Sequence, residues 1–111
     1  MHYILPSAAR PNLGVLPPAE YDKPYTGKLK TIRGDAFVMK VLCPKTSQPI
    51  TLGCSWMGNG ECVVVVADDG LIYDSGWSPM VIWRHERGHC IGWPVDHRGA
   101  RPVTSETLCE R

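Results

Sequence analysis

The sequence lacks several features on which common classes of protein depend. No run approaches the ~20 consecutive apolar residues that a membrane-spanning helix needs. Neither sign of charge dominates, because 12 Lys and Arg stand against 11 Asp and Glu and the net charge is +1. No long block of like charge occurs either, so neither a nucleic-acid footprint nor a polybasic membrane patch is expected.

Cysteine is present in an odd number and without any CxxC pair, so neither a complete disulfide framework nor a cysteine-based zinc site follows from spacing. The five cysteines are Cys43, Cys54, Cys62, Cys90 and Cys109. Cys54 and Cys62 flank a predicted turn and would be able to bridge in an oxidising compartment, with buried free thiols as the alternative. The opening residues lack the basic and long apolar regions of a signal peptide, which makes a soluble cytoplasmic chain the default expectation.

A chain of 111 residues fits one domain with one core. Residues 1–27 are interrupted by prolines and predict an extended arm that carries no chemistry. Residues 28–74 predict a sheet region, residues 78–92 a helix, and residues 93–111 a turn with metal-ligating residues followed by a tail without secondary structure.

Short β-type runs fill the sheet region, and the predicted strands are residues 28–32, 36–42, 50–56 and 61–67, with a short further strand at 71–73. Asn59-Gly60 supplies the positive φ angles of a tight hairpin turn, so the strands on either side of it should pair antiparallel. Four consecutive valines, 63–66, suggest a strand that is covered on both faces.

Ser78-Pro79 is a helix start, and Gly92 with Pro94 beyond it is a helix stop. The sequence therefore predicts an α+β fold, in which a small, mostly antiparallel sheet packs on this one main helix.

The predicted helix carries His85-Glu86-Arg87-Gly88-His89, a match to HExxH. Residues four apart lie on one helix face, so both imidazoles can ligate a single zinc ion. Glu86 then stands beside the metal, where a carboxylate can take a proton from a zinc-activated water and pass it on.

A catalytic zinc usually has three protein ligands, and a third candidate lies past the turn at Gly92. His97 is favoured because neutral imidazole suits zinc, with Asp96 as the carboxylate that orients a ligand. Asp96 as the direct ligand is the competing interpretation. A solvated helix face with ordinary histidines is the alternative to any metal site.

Large aromatic and basic side chains surround the motif. Three of the four tryptophans bracket it and can line a substrate pocket, although such residues more often belong to a core: Trp77, Trp83 and Trp93. Tyr73 can donate to a developing oxyanion or can simply be a core residue. The arginines are expected to form a solvated face, and they are Arg84, Arg87, Arg98 and Arg101.

Residues 85–97 resemble the zincin metallopeptidases, and HExxHxxG is similar to the metzincin branch, including the small snapalysin-type enzymes whose third ligand is an aspartate. Val95 stands where that branch has its third ligand, and no Met-turn follows. The resemblance implies His85 and His89 as ligands and Glu86 as general base. It also implies an edge strand that pairs with an extended peptide, at residues 61–67, unless that strand is buried in the centre of the sheet.

The predicted function is therefore that of a zinc-dependent metallopeptidase, with His85, His89 and His97 as metal ligands and Glu86 as general base. Its partner is a peptide or protein substrate, without nucleic acid or membrane, and a monomer is expected. The alternatives are a zinc-dependent amidase that acts on another small amide, and a zinc-stabilised binding module that is not an enzyme.

Overall fold

The computed structural model describes residues 15–44 and 52–109. After a 3-10 turn at Ala19–Tyr21, the elements in chain order are β1 (Lys28–Gly34), α1 (Ala36–Leu42), β2 (Gly53–Gly58), β3 (Glu61–Ala67), α2 (Asp69–Asp74), α3 (Pro79–Ile91) and α4 (Ser105–Cys109). Parts of three predictions lie outside the described residues: positions 1–14 of the arm, positions 50–51 of a strand and positions 110–111 of the tail.

The α+β fold class is confirmed. The three strands form one sheet in the order β1-β3-β2. β2 and β3 pair antiparallel, and β1 runs parallel to β3. The hairpin predicted at Asn59-Gly60 is confirmed, because both residues have positive φ angles, of 52° and 78°.

β3 is the central strand, and the residues Val63–Val66 in it are at most 7% exposed. α3 packs against β2 and β3, whereas α1 contacts β3 and β1. Residues 61–67 therefore cannot be the edge strand that pairs with a substrate, and the alternative of a buried central strand is correct. Within the described part of the chain, β1 and β2 form the edges of the sheet.

Three segments fold as helices where the sequence predicted strand or loop. Residues 36–42 form α1, because the Asp35 side chain caps it by accepting a hydrogen bond from the Val38 amide at 3.0 Å. Residues 71–73 lie in α2, not in a further strand. The predicted loop tail contains α4, where Thr104 Oγ1 accepts from the Thr107 amide at 3.1 Å. Such caps stabilise helices too short for a periodic pattern to reveal.

α3 follows its predicted boundaries. Pro79 occupies the first turn, and Gly92, with a φ of 123°, ends the helix. The Trp93 amide then donates to the Gly88 carbonyl at 3.0 Å, which turns the chain back towards the helix. Ser78 stands at the cap position, but its side chain makes no capping hydrogen bond. None of the helices among the described residues is long and apolar enough to cross a bilayer.

Two disulfides join the sheet to helices, Cys43–Cys54 and Cys62–Cys90, while Cys109 is free and exposed. The suggested bridge between Cys54 and Cys62 is wrong. The strand register gives the reason, because Cys54 lies opposite Val65 and Cys62 lies opposite Met57. The two thiols are therefore three register positions apart, beyond the reach of a disulfide.

Candidate metal centre

Three imidazoles converge at the C-terminal half of α3. His85 and His89 lie one turn apart on that helix, and their Nε2 atoms are 3.3 Å apart. His97 enters from the loop after Gly92, and its Nε2 lies 3.1 Å from that of His89. One ligand atom from each residue lies within 4.8 Å of the others. The three histidines thus lie close enough together to hold a metal ion.

The second nitrogen of each helix histidine faces a backbone carbonyl. His85 Nδ1 lies 2.6 Å from the Val15 oxygen, and His89 Nδ1 lies 2.8 Å from the Trp93 oxygen. A carbonyl can only accept, so we assign the proton of each neutral ring to Nδ1. The Nε2 lone pairs then face one another inside the cluster. With the protons so placed, the Nε2 atoms of both helix histidines can serve as metal ligands.

Two of the three nitrogen–nitrogen separations are compatible with ligands that share one metal ion such as zinc. With Zn–N bonds of ~2.0–2.1 Å and tetrahedral angles, neighbouring ligand nitrogens lie about 3.3–3.4 Å apart. The observed separations of 3.3 and 3.1 Å are close to that value. Imidazole donors suit zinc and neighbouring transition metals, whereas magnesium and calcium prefer oxygen ligands.

Trp93 packs beneath all three histidines. Its ring stacks on His89 with centroids 4.8 Å apart and meets His85 and His97 edge-on, each at 5.0 Å. It is buried, and its Nε1 donates to the Arg98 carbonyl at 2.8 Å. Trp93 is therefore a wall that supports the imidazoles, not the lining of an open pocket.

The two other tryptophans near the motif differ from Tyr73 in exposure. Trp77 and Trp83 are half-buried against the hydrophobic core, in line with the core alternative. Tyr73 is 62% exposed on α2, so it is not the core residue that its sequence context suggested.

The loop after α3 presents His97 to the cluster and turns Asp96 away from it. His97 has a φ of 58°, a left-handed conformation that is uncommon for a residue with a side chain. Asp96 is exposed and forms an ion pair with Arg98, 2.8 Å from its Nη2. Hydrogen bonding from Arg98 lowers the pKa of Asp96. Burial lowers the pKa of His97, and the negative charge of Asp96 opposes that shift. Carbonyls, not Asp96, thus contact the Nδ1 atoms of the helix histidines.

Glu86 lies between α3 and β2 and is completely buried. Ser55 Oγ donates to its Oε1 at 2.9 Å. Burial raises the pKa of Glu86 well above its ordinary value, and the Ser55 hydrogen bond opposes that effect. Oε2 has no hydrogen-bond partner among the described residues. Gly53 makes room for it, since a Cβ there would lie 3.2 Å from Oε2.

Sequence reasoning missed two contributors to this site. Ser55 is a polar residue in an otherwise apolar strand, and it shares a strand face with Gly53. That pattern in the sequence indicates a buried polar contact. The Val15 carbonyl belongs to the arm for which no chemistry was expected, and a backbone oxygen has no signature in a sequence. The solvated arginine face is also wrong in part, because Arg84 is only 4% exposed.

Separate substitution of His97 and Asp96 tests which residue completes the cluster. His97→Ala removes one of the three converging nitrogens. Zinc binding should therefore weaken more than ~100-fold, which is the largest loss typical of residues that only hold a metal ligand in place. Asp96 pairs with Arg98. Loss of a residue that holds a metal ligand in place costs about tenfold or more, so Asp96→Ala should change zinc affinity by no more than about threefold. Competition with a chelator of known affinity at pH 7 measures both. A larger loss for Asp96→Ala would contradict this assignment.

No protein-family model matches this chain, and no curated protein or solved structure shows significant similarity to it. A functional proposal for this chain therefore rests on the geometry of the histidine cluster and of Glu86 together with the HExxH motif.

Proposed function

We propose that this chain is a zinc-dependent hydrolase of peptide bonds, in which His85, His89 and His97 bind the metal and Glu86 moves the proton. The observation that carries the proposal is the convergence of three Nε2 atoms while the Nδ1 atoms of His85 and His89 face carbonyls. The HExxH resemblance supplies the role of Glu86. The choice of zinc rests on the spacing and nitrogen chemistry of the ligands.

His85, His89 and His97 would hold the zinc ion, which when bound would lower the pKa of a bound water and polarise a carbonyl group. Ser55 holds Oε1 of Glu86, so Oε2 is the oxygen that we assign to accept the proton of the attacking water. The same oxygen then returns the proton to the leaving amine. Ser55 and Gly53 together keep the carboxylate in one orientation under α3.

β2 is the strand that we propose to bind an extended substrate. It is an edge of the sheet, and α3 packs against it. No described strand pairs with its outer side, and its more exposed half, residues 56–58, offers backbone groups that can form a ladder with a peptide. Such main-chain hydrogen bonding recognises a peptide with little sequence preference. This assignment moves the edge-strand role from residues 61–67 to Gly53–Gly58.

A zinc-stabilised module without catalytic activity is the second candidate, and the complete burial of Glu86 favours it. A buried carboxyl beside β2 can serve packing and hydrogen bonding alone. In a domain of this size, a metal ion would also add to the stability that a small core supplies.

Glu86→Gln separates the two candidates. Glutamine keeps the shape of glutamate, and its carbonyl oxygen can still accept from Ser55. For a hydrolase, kcat should fall at least about 100-fold, since general-base catalysis contributes about 10²–10⁴. Zinc content should not change. Digestion of a mixed peptide library, followed by mass spectrometry, measures turnover, and elemental analysis measures zinc.

Glu106→Gln is the matched control, because Glu106 is an exposed glutamate on α4. It should leave both readouts unchanged. If the zinc-loaded wild-type protein cleaves no peptide, the hydrolase proposal fails and the stabilised module remains.

A further inference from the structure

Residues 15–22 of the N-terminal arm pack directly on the helix that bears the histidines. Val15 and Leu16 are buried, and the Val15 carbonyl contacts His85 Nδ1. Pro17 lies so close to Gly88 that a Cβ built on this glycine would be 2.5 Å from Pro17 Cγ. The glycine of the HERGH motif thus allows the arm to approach α3.

The far end of the arm is held by a buried carboxylate, Asp22, which is 4% exposed. Arg84 Nε donates to both of its oxygens, at 2.9 and 3.1 Å. Arg87 Nη2 and Arg101 Nη2 donate to it at 3.1 and 2.8 Å. Two of these arginines belong to α3, so Asp22 fastens the arm to the same helix as the histidines. Bidentate and charge-assisted bonds of this kind combine strength with a defined geometry.

Arg101 connects the two ends of the arm. Its backbone amide donates to the Leu16 carbonyl at 2.8 Å, and its own carbonyl accepts from the amides of Val15 and Leu16, both at 3.1 Å. Its side chain donates from Nε to the Pro17 carbonyl at 2.8 Å and from Nη2 to Asp22. The position of the Val15 oxygen is therefore set by a continuous set of contacts that runs from Asp22 through Arg101.

We propose that the arm is an integral part of the metal centre and that Asp22 and Arg101 are positioning residues for it. They hold the Val15 carbonyl against His85 Nδ1 and so keep the proton on that nitrogen and the lone pair on Nε2. This proposal rests on the proposed binding of zinc by the histidines, but it does not depend on hydrolysis. Outer-shell contacts of this type tune metal affinity by about 10- to 100-fold.

Gly88→Ala tests the arm contact directly. Alanine is a better helix former than glycine, yet its Cβ would displace Pro17 and with it the Val15 carbonyl. Zinc affinity should fall about 10- to 100-fold. Gly70→Ala is the matched control, because it makes the same change in α2 where a Cβ meets nothing within 4 Å, and its zinc affinity should equal that of the wild type.

A Cβ at Gly88 would also lie 3.4 Å from Trp93. A double variant therefore distinguishes the effect of the alanine on the arm from its effect on Trp93. In the double variant Pro17→Ala and Gly88→Ala, the Cγ at 2.5 Å is removed and the Cβ contact at 3.0 Å remains, so at least part of the lost affinity should return. An affinity in Gly88→Ala equal to that of the wild type, or no recovery in the double variant, would overturn the proposal.

Arg101→Gln provides a second test, and it adds no atoms beside α3. Asp22 keeps its bonds to Arg84 and Arg87 in this variant. The control is Arg33→Gln, since Arg33 on β1 also pairs with an aspartate and donates to a backbone carbonyl, but its partners are Asp69 and Ala67. Arg101→Gln should weaken zinc binding about tenfold and should alter the visible absorption spectrum of the Co²⁺-substituted protein, whereas Arg33→Gln should change neither.

The outcomes distinguish this proposal from the metal site on which it rests. A wild-type protein that binds neither zinc nor Co²⁺ refutes the metal site itself. A wild-type protein that binds zinc, with Arg101→Gln equal to Arg33→Gln in affinity and in Co²⁺ spectrum, refutes only the role of the arm.

Discussion

Protein prepared without chelator should contain one zinc ion per chain, and removal of the metal should lower its melting temperature by roughly 15 °C or more. A ligand that binds only the folded state stabilises it by about 4 kcal/mol when its free concentration exceeds the Kd a thousandfold. In a domain of this size, each kcal/mol corresponds to about 4 °C or more. The three converging nitrogens of His85, His89 and His97 would supply the affinity that this effect requires.

Elemental analysis and melting curves with and without a chelator measure this prediction. The matched control is His85→Ala, in which one of the converging nitrogens is missing. The chelator should shift its melting temperature far less than that of the wild type. If no transition metal is found after zinc is supplied, or if the chelator leaves the wild-type melting curve unchanged, the metal site is refuted.

Loss of the Cys62–Cys90 disulfide should cost about 3.5 kcal/mol of unfolding free energy, because this bridge closes a loop with a sequence separation of 28. The Cys43–Cys54 bridge, with a separation of 11, should contribute about 3 kcal/mol by the same chain-entropy argument. Disulfides persist in oxidising compartments, so we expect this fold to be stable there and not in the reducing cytosol that was the default expectation.

Chemical denaturation of the double variant Cys62→Ala and Cys90→Ala measures the larger effect. Cys109→Ala is the control, since Cys109 is free and exposed, and it should stay within about 0.5 kcal/mol of the wild type. Peptide mapping under non-reducing conditions should recover the two bridged pairs. A mapped Cys54–Cys62 bridge, or equal stability of the double variant and the control, would contradict the prediction.

The site residues that a sequence can reveal are those whose placement depends on local rules. His85 and His89 share a face because of the helical repeat, and Gly92 ends that helix because it tolerates a positive φ. The Asn59-Gly60 turn follows from the same kind of local chemistry. The choice between His97 and Asp96 was different, because the loop conformation that decides it depends on contacts with Trp93 and Arg98.

The sequence by itself determined the main helix, the hairpin and the motif that places two histidines and a glutamate together, because each depends on residues only a few positions apart. Only the tertiary structure decided that β3 is central, that Ser55 holds Glu86 and that the Val15 carbonyl contacts His85. These features join residues far apart in the chain. Strand order, a buried hydrogen bond and a backbone oxygen leave no periodic trace in a sequence, so packing of the whole domain has to establish them.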